Sequence, residues 1–406
     1  MASANRTTPA PGRPRPRVWE TVGVASDDIE GKSIHFKLMS YNILAQSLLE
    51  SNSYLFKHNP PPHQDWQYRF DVLFKQIFDQ YPDILCLQEV ERKYLRIINE
   101  RLENGGYYGK YKKKTGVSQI DGCAIYVKRS VFEIQEVTSV EFFQPELSMM
   151  LHHHVGLIVK VKPRSMSRCM VIANTHLLCQ PKKAIIRLAQ LRLFLAEIDR
   201  VAYEFNGRNS GHLPIILTGD LNSYSDSDII KLLDEGQIRK WAEWIDKEWK
   251  DIGITDNCQH LAVYMNRMHG WPTDVDELDL QHSEYLKPSD MLRREMCSAA
   301  NKLHKAMYSD MFTSDVLSHS LHLQSVYATS GRNHNSLFFR ECCHDVENCI
   351  CIPRARVDYI YFNFRSGLRP LQRLRLGKYD KLPNECNGSD HQPLVAIFEL
   401  NAETPY

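Results

Sequence analysis

Carboxylate, carboxamide and imidazole side chains stand at the ends of strand-like apolar runs. The run 213–218 leads into Gly-Asp-Leu-Asn-Ser at 219–223, and Ser-Asp-His-Gln-Pro at 389–393 directly precedes the run 394–400. Strand ends hold such side chains rigidly, which suits a hydrolytic site. The same residue types also form ordinary turns. The interpretation therefore depends on whether other segments supply matching chemistry.

Four other polar residues occupy similar positions in the sequence. They are Asn42 in Ser-Tyr-Asn, Glu89 in Leu-Gln-Glu, His176 in Asn-Thr-His and Asp358 in Val-Asp-Tyr-Ile. A single buried polar residue is usually a hydrogen-bonded part of the core. Burying this many separately costs free energy, whereas a cluster around a hydrated cation and a phosphate accounts for all of them.

The residue types also indicate which metal such a cluster binds. Glu89, Asp390 and Asn42 offer oxygen atoms and no thiolate, which suits Mg²⁺, or Mn²⁺ as a substitute, rather than zinc. Of the two imidazoles, one can act on phosphoryl oxygens. The other, oriented by a carboxylate, can assist a nucleophilic water. The pattern predicts metal-assisted hydrolysis of a phosphate ester.

A layered α/β domain is predicted to position these residues. The strand-like runs are His35–Leu44, Asp83–Val90, Gly122–Val127, Val155–Val161, Cys169–Leu178, Leu213–Leu221, Val357–Phe362 and Leu394–Leu400. Several are apolar on both faces, as in strands covered on both sides. Arg69–Gln80 and Ala184–Val201 show helical spacing near 3.6 residues.

Composition narrows the class of protein. The 406 residues carry a net charge of +1, so no global field favours nonspecific nucleic-acid binding. The 11 cysteines are scattered, and together with the absence of a signal peptide they indicate reduced thiols in an intracellular protein. No apolar run approaches the roughly 18 residues of a membrane span. We expect a soluble protein of the cytoplasm or nucleus, and the Arg-rich segment 6–17 leaves mitochondrial targeting open.

Three regions are predicted along the chain. Residues 1–30 are rich in Pro, Arg and Ser and predict a disordered lead-in. Residues 31–406 form one catalytic domain. Within it, residues 236–320 show weak strand signal and predict an insertion, partly helical at Leu292–Met307.

At this point the ordered motifs resemble a known family. Ser-Tyr-Asn, Leu-Gln-Glu, Asn-Thr-His-Leu, Gly-Asp-Leu-Asn-Ser, Val-Asp-Tyr-Ile and Ser-Asp-His-Gln-Pro, from about residue 36 to 400, are similar to the exonuclease–endonuclease–phosphatase superfamily. Its deadenylase-like branch, and the Angel proteins in particular, match best. The resemblance implies a four-layer α/β sandwich of two packed mixed sheets flanked by helices.

The resemblance also implies a role for each motif residue. Glu89 binds Mg²⁺, with Asn42 and Asp390 close to the metal. Asp220 orients or deprotonates the attacking water, Asn222 holds the scissile phosphate, and His176 contacts phosphate oxygens. His391, paired with Asp358, stabilises the charge of the transition state. Phosphoryl transfer depends mostly on positioning and electrostatics, so this division of labour is physically reasonable.

Departures from the family pattern concern the substrate. Poly(A)-removing relatives carry an adenine-contacting Phe five residues before the Asp of Asp-Tyr-Ile, where this chain has Pro353, whereas Pro181 matches their base-contacting Pro. The resemblance to Angel proteins implies removal of 2′,3′-cyclic phosphate from RNA 3′ ends. The alternative within the enzyme class is a 3′–5′ exoribonuclease acting on poly(A).

Other sequence features bear on the binding partners without identifying them. Basic residues predicted at the mouth are Lys182, Lys183 and Arg356, with Arg354 and the run 112–114 as further candidates. An alternative of another class is a catalytically weak scaffold that binds RNA, mRNA-metabolism factors or translation factors; the complete set of motif residues disfavours it.

The Cys- and His-containing segment 342–351 departs from zinc-site spacing. His152-His153-His154 is interpreted as a loop and strand start rather than a metal site. Nothing in the sequence indicates the oligomeric state.

Overall fold

The computed structural model describes residues 17–25, 33–205, 207–239, 252–269, 311–312, 315–327, 357–377 and 381–402, and the backbone of 339–341 and 352–354. In chain order the strands are β1 (Trp19–Thr21), β2 (Ser33–Asn42), β3 (Ile84–Gln88), β4 (Tyr107–Lys113), β5 (Gly122–Lys128), β6 (Phe132–Glu141), β7 (Val155–Pro163), β8 (Met170–His176), β9 (Tyr203–Phe205), β10 (Ser210–His212), β11 (Ile215–Asp220), β12 (Gln237–Arg239), β13 (Val316–Ser318), β14 (Leu323–Ser325), β15 (Phe339–Glu341), β16 (Ile352–Arg354), β17 (Asp358–Asn363), β18 (Leu368–Leu374) and β19 (Leu394–Asn401). The α-helices are α1 (Gln46–Ser51), α2 (Pro61–Gln64), α3 (Trp66–Gln80), α4 (Leu95–Asn104), α5 (Ala184–Ala202), α6 (Asp228–Glu235) and α7 (Leu261–His269).

Two mixed sheets form the centre of the described fold. One has the strand order β1-β18-β19-β2-β3-β5-β4, and the other has the order β14-β17-β11-β8-β7-β6. Within the first sheet β2 and β3 run parallel, and within the second sheet β8 and β11 run parallel. The carboxyl ends of each parallel pair therefore lie together at one edge of their sheet.

Three apolar layers hold the sheets and helices together. Side chains of both sheets, such as Phe36 and Ile216, form one buried cluster between them. A second cluster packs Leu73 of α3 against the first sheet, and a third packs Leu188 of α5 against the second sheet. Burying these faces is the main favourable contribution to folding. The predicted four-layer α/β sandwich is confirmed.

All eight predicted strands are present, with ends shifted by a few residues, and both predicted helices match α3 and α5. Helix α3 begins three residues earlier than predicted because Asp65 caps it, its carboxylate accepting from Gln67 N at 2.9 Å. The pattern missed β4, β6 and β18, whose burial alternates irregularly. It also missed the short helices α4 and α6.

One short strand lies inside the range predicted to be a disordered lead-in. Trp19–Thr21 pairs antiparallel with β18, Trp19 opposite Leu374. Glu20 Oε2 lies 3.0 Å from Arg373 Nε, and the Trp19 ring lies 5.4 Å from Lys37 Nζ. These contacts order a segment for which the Pro- and Arg-rich composition predicts disorder. The remainder of the predicted lead-in, 1–16 and 26–30, lies outside the described residues.

Parts of the predicted insertion pack against α5. Arg192 is fully buried and donates through Nη2 to Ile254 O at 2.8 Å. Glu197 and His260 lie 2.9 Å apart, and Arg267 donates to Asp199 at 2.6 Å. The insertion boundaries at 236–320 remain a prediction, and the predicted helix Leu292–Met307 lies outside the described residues.

Among the described helices, none combines the length and apolar character that a membrane crossing requires.

Candidate active site

Strand register brings three of the predicted residues side by side. In the parallel pair β8 and β11, His176 lies opposite Asp220. In the antiparallel pair β11 and β17, Asp220 lies opposite Asp358. Asp220 is therefore the middle residue of three neighbouring strand ends. The sequence positions 176, 220 and 358 are far apart, and only the sheet makes them neighbours.

The first sheet contributes Asn42 and Glu89 to the same place. Asn42 ends β2 opposite Gln88, the last residue of β3, and Glu89 follows it directly. Asn42 Nδ2 donates to Glu89 Oε1 at 3.0 Å and to Asp220 Oδ2 at 3.1 Å. One buried amide thus joins the ends of the two sheets. Its own Oδ1 accepts from Leu44 N at 3.0 Å, which fixes its orientation.

Glu89 is a buried carboxylate that stays charged. Its Oε2 accepts from Ala45 N at 2.8 Å, and its Oε1 lies 3.9 Å from His176 Nδ1. Burial would raise the pKa of Glu89, but His176, Lys114 and the two hydrogen bonds outweigh it and lower the pKa. Glu89 also adopts a left-handed backbone with φ 57°, a conformation that non-glycine residues keep mainly at functional positions.

Several of the candidate residues lie around the carboxylate of Asp220. Its Oδ2 lies 3.5 Å from His176 Nε2 and 3.7 Å from His391 Nε2, besides the bond from Asn42. Its Oδ1 accepts from Asn222 N at 2.9 Å. Burial raises the pKa of Asp220, and the Asp358 carboxylate adds to the rise against the opposing effects of His176 and His391. A buried carboxylate with a raised pKa is suited to proton transfer.

His391 and Asp358 form a close pair. His391 Nδ1 lies 2.7 Å from Asp358 Oδ2. Burial would lower the pKa of His391, but Asp358 and Asp390 raise it well above the ordinary value. The ring is therefore an imidazolium that faces Asp220 with Nε2 and Asp358 with Nδ1.

The loop before β19 positions Asp390 and His391. Ser389 donates to Asn42 O at 2.6 Å and accepts from His391 N at 3.1 Å. Asn387 donates to Ser389 O and to His391 O. Asp390 Oδ1 lies 3.9 Å from His391 Nε2, so the structure places this carboxylate beside the imidazolium and, through Ser389, beside Asn42.

The end of β11 and the residues that follow it require unusual backbone geometry. Gly219 has φ 145°, and a Cβ there would lie 2.0 Å from Thr175 O of the neighbouring strand β8, so only glycine allows this approach. Asn222 has φ 48° and donates through Nδ2 to Leu177 O at 2.8 Å. The amide of Asn222 thus lies over the residue that follows His176.

The oxygen-rich side of the site fits a divalent cation. Among the described residues, Asp220, Asp358 and His391 offer ligand atoms within 4.8 Å of one another. His391 Nδ1, however, is already held by Asp358, and Mg²⁺ prefers oxygen ligands to imidazole nitrogen. Glu89, charged and supported by Asn42, is the better ligand, and Asp390 can approach from the loop. Hard oxygen ligands of this kind suit Mg²⁺.

Sequence reasoning missed several residues that build this site. Arg69 of α3 is fully buried and donates to Ile43 O, Leu44 O, Gly388 O and Gln46 Oε1 at 2.6–2.7 Å. The guanidinium therefore ties the segment after Asn42 to the loop before Asp390. An arginine on the apolar face of a predicted helix is the signal that could have revealed it.

The sequence indicates Lys114 only as a member of a basic run at the predicted mouth of the site. Its ammonium is buried and lies 2.8 Å from Asp121 Oδ2. Burial would lower the pKa of Lys114, but Asp121 and Glu89 raise it. The other two members of the run face elsewhere, Lys112 towards Glu141 and Lys113 towards Gly116 O and Gln119 O.

Three of the four predicted substrate-contacting residues, Pro181, Lys182 and Lys183, lie on the loop after β8. Pro181 and Lys182 are exposed, and Lys183 Nζ lies 3.3 Å from His152 Nε2. Arg187 holds this loop by donating to Leu178 O, Gln180 O and Pro181 O. Arg356 and the Cys- and His-containing segment 342–351 lie outside the described residues. Pro353 lies in β16 opposite Arg340.

The fold and site together define a class of protein, the phosphoesterases with two packed mixed sheets. The family model described as Endonuclease/Exonuclease/phosphatase family matches residues 39–391. Protein angel homolog 2 of Homo sapiens is 32% identical over 92% of this chain and 71% of its own length. Protein angel homolog 1 of Mus musculus is 30% identical over 96% of this chain and 68% of its length.

A solved structure is also similar. The crystal structure of ANGEL2, a 2′,3′-cyclic phosphatase, in complex with adenosine-2′,3′-vanadate has a TM-score of 0.69 and 29% identity, covering 95% of this chain and 99% of that chain. The chain belongs to the endonuclease/exonuclease/phosphatase family and, within it, to the group of Angel proteins.

Proposed function

We propose that this protein is a divalent-metal-dependent phosphoesterase that removes 2′,3′-cyclic phosphate from RNA 3′ ends. Membership of the family makes it a phosphoric ester hydrolase. The observation that carries the proposal is the convergence of Asn42, His176 and His391 on one oxygen of Asp220. The similarity to a 2′,3′-cyclic phosphatase over 95% of the chain supports the substrate.

Asp220 acts on the attacking water. Its raised pKa makes the buried carboxylate more basic than an ordinary aspartate, so it can accept a proton as the water oxygen bonds to phosphorus. A first water breaks one phosphorus–oxygen bond to the ribose and opens the cyclic phosphate to a monoester. A second water, attacking in the same way, breaks the remaining phosphorus–oxygen bond to the ribose and releases inorganic phosphate. Solvent protonates each leaving ribose oxygen and takes up the proton that Asp220 accepted. Asn42 orients the Asp220 carboxylate for this step through its Nδ2.

Two imidazoles and an amide face the phosphate. The imidazolium of His391, held by Asp358, stabilises the negative charge that develops on the phosphoryl oxygens. His176, between Glu89 and Asp220, contacts a second oxygen. Asn222, fixed by its left-handed backbone, holds the scissile phosphate. Because these groups are already in place, little reorganisation opposes the reaction.

We propose Mg²⁺ as the metal and Glu89 as its principal protein ligand, with Asn42 and Asp390 close to it. A bound Mg²⁺ supplies Lewis-acid polarisation of a phosphoryl oxygen. Glu89 is suited to this role because its lowered pKa keeps it ionised at neutral pH. Mg²⁺ keeps several waters and binds only one or two carboxylates, so Glu89 and Asp390 suffice as its acidic ligands.

The decisive assay offers two RNA oligonucleotides, one ending in 2′,3′-cyclic phosphate and one ending in a poly(A) tail, with and without Mg²⁺. We expect loss of the cyclic phosphate in the presence of Mg²⁺ and an intact poly(A) tail. Shortening of the tail with the cyclic end untouched would favour the 3′–5′ exoribonuclease instead. Binding of both RNAs without turnover of either would favour a scaffold.

A further inference from the structure

Three consecutive histidines, His152, His153 and His154, precede β7 and have different surroundings. His153 Nδ1 lies 2.8 Å from Thr115 Oγ1, and its ring stacks on Phe143 with centroids 4.3 Å apart. His152 bonds to Lys183. The His154 ring lies 6.4 Å from the His176 ring at an interplanar angle of 77°. Of the three, His154 is therefore the one that borders the catalytic imidazole.

Two buried nitrogen atoms at this place have no hydrogen-bond partner among the described protein atoms. They are His154 Nδ1 and His176 Nδ1. Leaving a buried polar atom unpaired costs about 1–3 kcal/mol, and buried polar atoms in proteins are nearly always paired. The two atoms belong to neighbouring rings, and His176 Nδ1 lies 3.9 Å from Glu89 Oε1. They indicate a position where a bound molecule supplies the missing partners.

The charges around His154 indicate what that molecule is. Burial lowers the pKa of His154 to about 2, and the nearby Lys114 contributes to the fall. The ring is therefore neutral at working pH and offers a hydrogen bond without a charge. Lys114 is cationic, with Asp121 as its partner, and disfavours a second metal cation beside His154. An oxygen atom of an anionic group meets both requirements.

We propose that His154 is a substrate-binding residue, and that its Nδ1 hydrogen-bonds an oxygen of the ribose phosphate at the RNA 3′ end. This inference rests on the proposed function and extends it from the phosphate to the terminal nucleotide. His154 and His176 then contact the same nucleotide from two perpendicular rings.

The test replaces His154 and compares two kinetic constants. His154→Phe keeps an aromatic ring beside His176 and removes both nitrogens, and His154→Asn keeps a hydrogen-bonding group. With RNA ending in 2′,3′-cyclic phosphate, we expect His154→Phe to raise KM about tenfold with kcat within about twofold, because the contact exists in both the ground and transition states. His154→Asn should recover most of the loss. His153→Phe is the matched control, and its KM should be unchanged.

Equilibrium binding gives a second measurement that needs no turnover. In the Asp220→Asn background, fluorescence anisotropy with the same labelled RNA should show a Kd about tenfold weaker for His154→Phe than for the parent. His154→Leu replaces His154→Phe in both measurements if thermal melting shows that His154→Phe is unfolded. An unchanged KM and Kd in a folded variant, or a fall in kcat alone, would overturn the inference. An inactive wild type refutes the proposed function instead, while the Kd comparison still decides the role of His154.

Discussion

His391 Nδ1 and Asp358 Oδ2 lie 2.7 Å apart, although 33 residues separate them along the chain. Asp358 begins β17 in one sheet, and His391 lies in the loop that enters β19 in the other. The contact therefore joins the two sheets at their shared edge. It also explains why the His391 ring stays charged despite burial, since Asp358 contributes most to raising its pKa.

Replacing Asp358 by Asn should lower both activity and the pKa of His391. The amide keeps the shape of the side chain and removes the charge that stabilises the imidazolium. Because the folded pKa is raised in the wild type, the variant should lose the His391 proton at a lower pH. We expect kcat/KM to fall by about 100- to 1000-fold at neutral pH, in the range of other positioned acid–base groups. Kinetics and an NMR titration of the imidazole measure the two effects.

The exposed Asp79, paired with Lys75 on the surface of α3, provides the control for this prediction. Asp79→Asn should leave kcat/KM and the His391 titration unchanged. An Asp358→Asn variant with wild-type kinetics would show that the pair is structural only.

Replacing Glu89 by Gln should remove metal binding and with it turnover. The amide keeps the volume and can still accept from Ala45 N, so the fold should survive, but the negative charge that attracts Mg²⁺ is lost. Isothermal titration calorimetry with Mg²⁺ should show no binding in the range that saturates the wild type. We expect kcat to fall by at least about 1000-fold, as for loss of a principal electrostatic contribution. If the variant kept its affinity for Mg²⁺, another carboxylate would be the principal metal ligand.

Asp220→Asn should reduce kcat by about 100- to 10,000-fold, the range for loss of a general base. The wild-type rate should fall as pH drops through the raised pKa of Asp220, because protonation removes the base. In the variant, this fall, which is the acidic limb of the pH–rate profile, should be absent. Rates measured from pH 4 to 8 at fixed Mg²⁺ test the prediction. If the limb persists unchanged, another group accepts the proton.

The sequence indicates which residues come together at the candidate site because each of them lies where an apolar run begins or ends. Hydrophobic periodicity and composition are properties of residues that are close in sequence. Distinct apolar runs lie next to Asp220, Asn222 and Asp358. The surroundings of Arg69, Lys114 and His154 could not be predicted from the sequence, for the opposite reason. Their contacts are with acceptors and neighbours distant in sequence, such as Gly388 O for Arg69. A sequence pattern cannot show which carbonyl oxygens converge on one guanidinium.

The same reasoning explains the errors at element boundaries. Trp19–Thr21 forms a strand only because β18 supplies its partner, and no local periodicity encodes that pairing. The end of β3 at Gln88 is set by Glu89, whose left-handed backbone stops the strand.

Arg69→Met should destabilise the protein and weaken metal binding together. The guanidinium donates to four acceptors in two segments, including Leu44 O at 2.6 Å and Gly388 O at 2.7 Å. Removing it leaves buried acceptors unpaired, at about 1–3 kcal/mol each when no water replaces it. Denaturant unfolding should show a loss of about 3 kcal/mol or more, and the Kd for Mg²⁺ should rise. Arg101→Met, at the exposed end of α4, should change neither.

The last prediction concerns the polar contacts that hold the described part of the predicted insertion to α5. Glu197 is buried, lies 2.9 Å from both His260 and Arg200, and burial opposes its ionisation. Arg200 and His260 nevertheless lower the pKa of Glu197 to about 2 from 4.5. A carboxylate with a depressed folded pKa contributes stability above its unfolded pKa, and this contribution is lost as pH falls from about 4.5 towards 2.

Glu197→Gln should therefore lower the free energy of unfolding by about 3 kcal/mol at neutral pH, as for breaking one partner of a buried pair. The difference from wild type should shrink as pH falls through this window, because the wild-type carboxylate becomes protonated and resembles the amide. Urea unfolding at several pH values between 2.5 and 7 measures it. Glu100→Gln, which breaks an exposed pair with Arg96, should cost less than about 1 kcal/mol at every pH. A pH-independent difference for Glu197→Gln would mean that packing, rather than its charge, holds the insertion against α5.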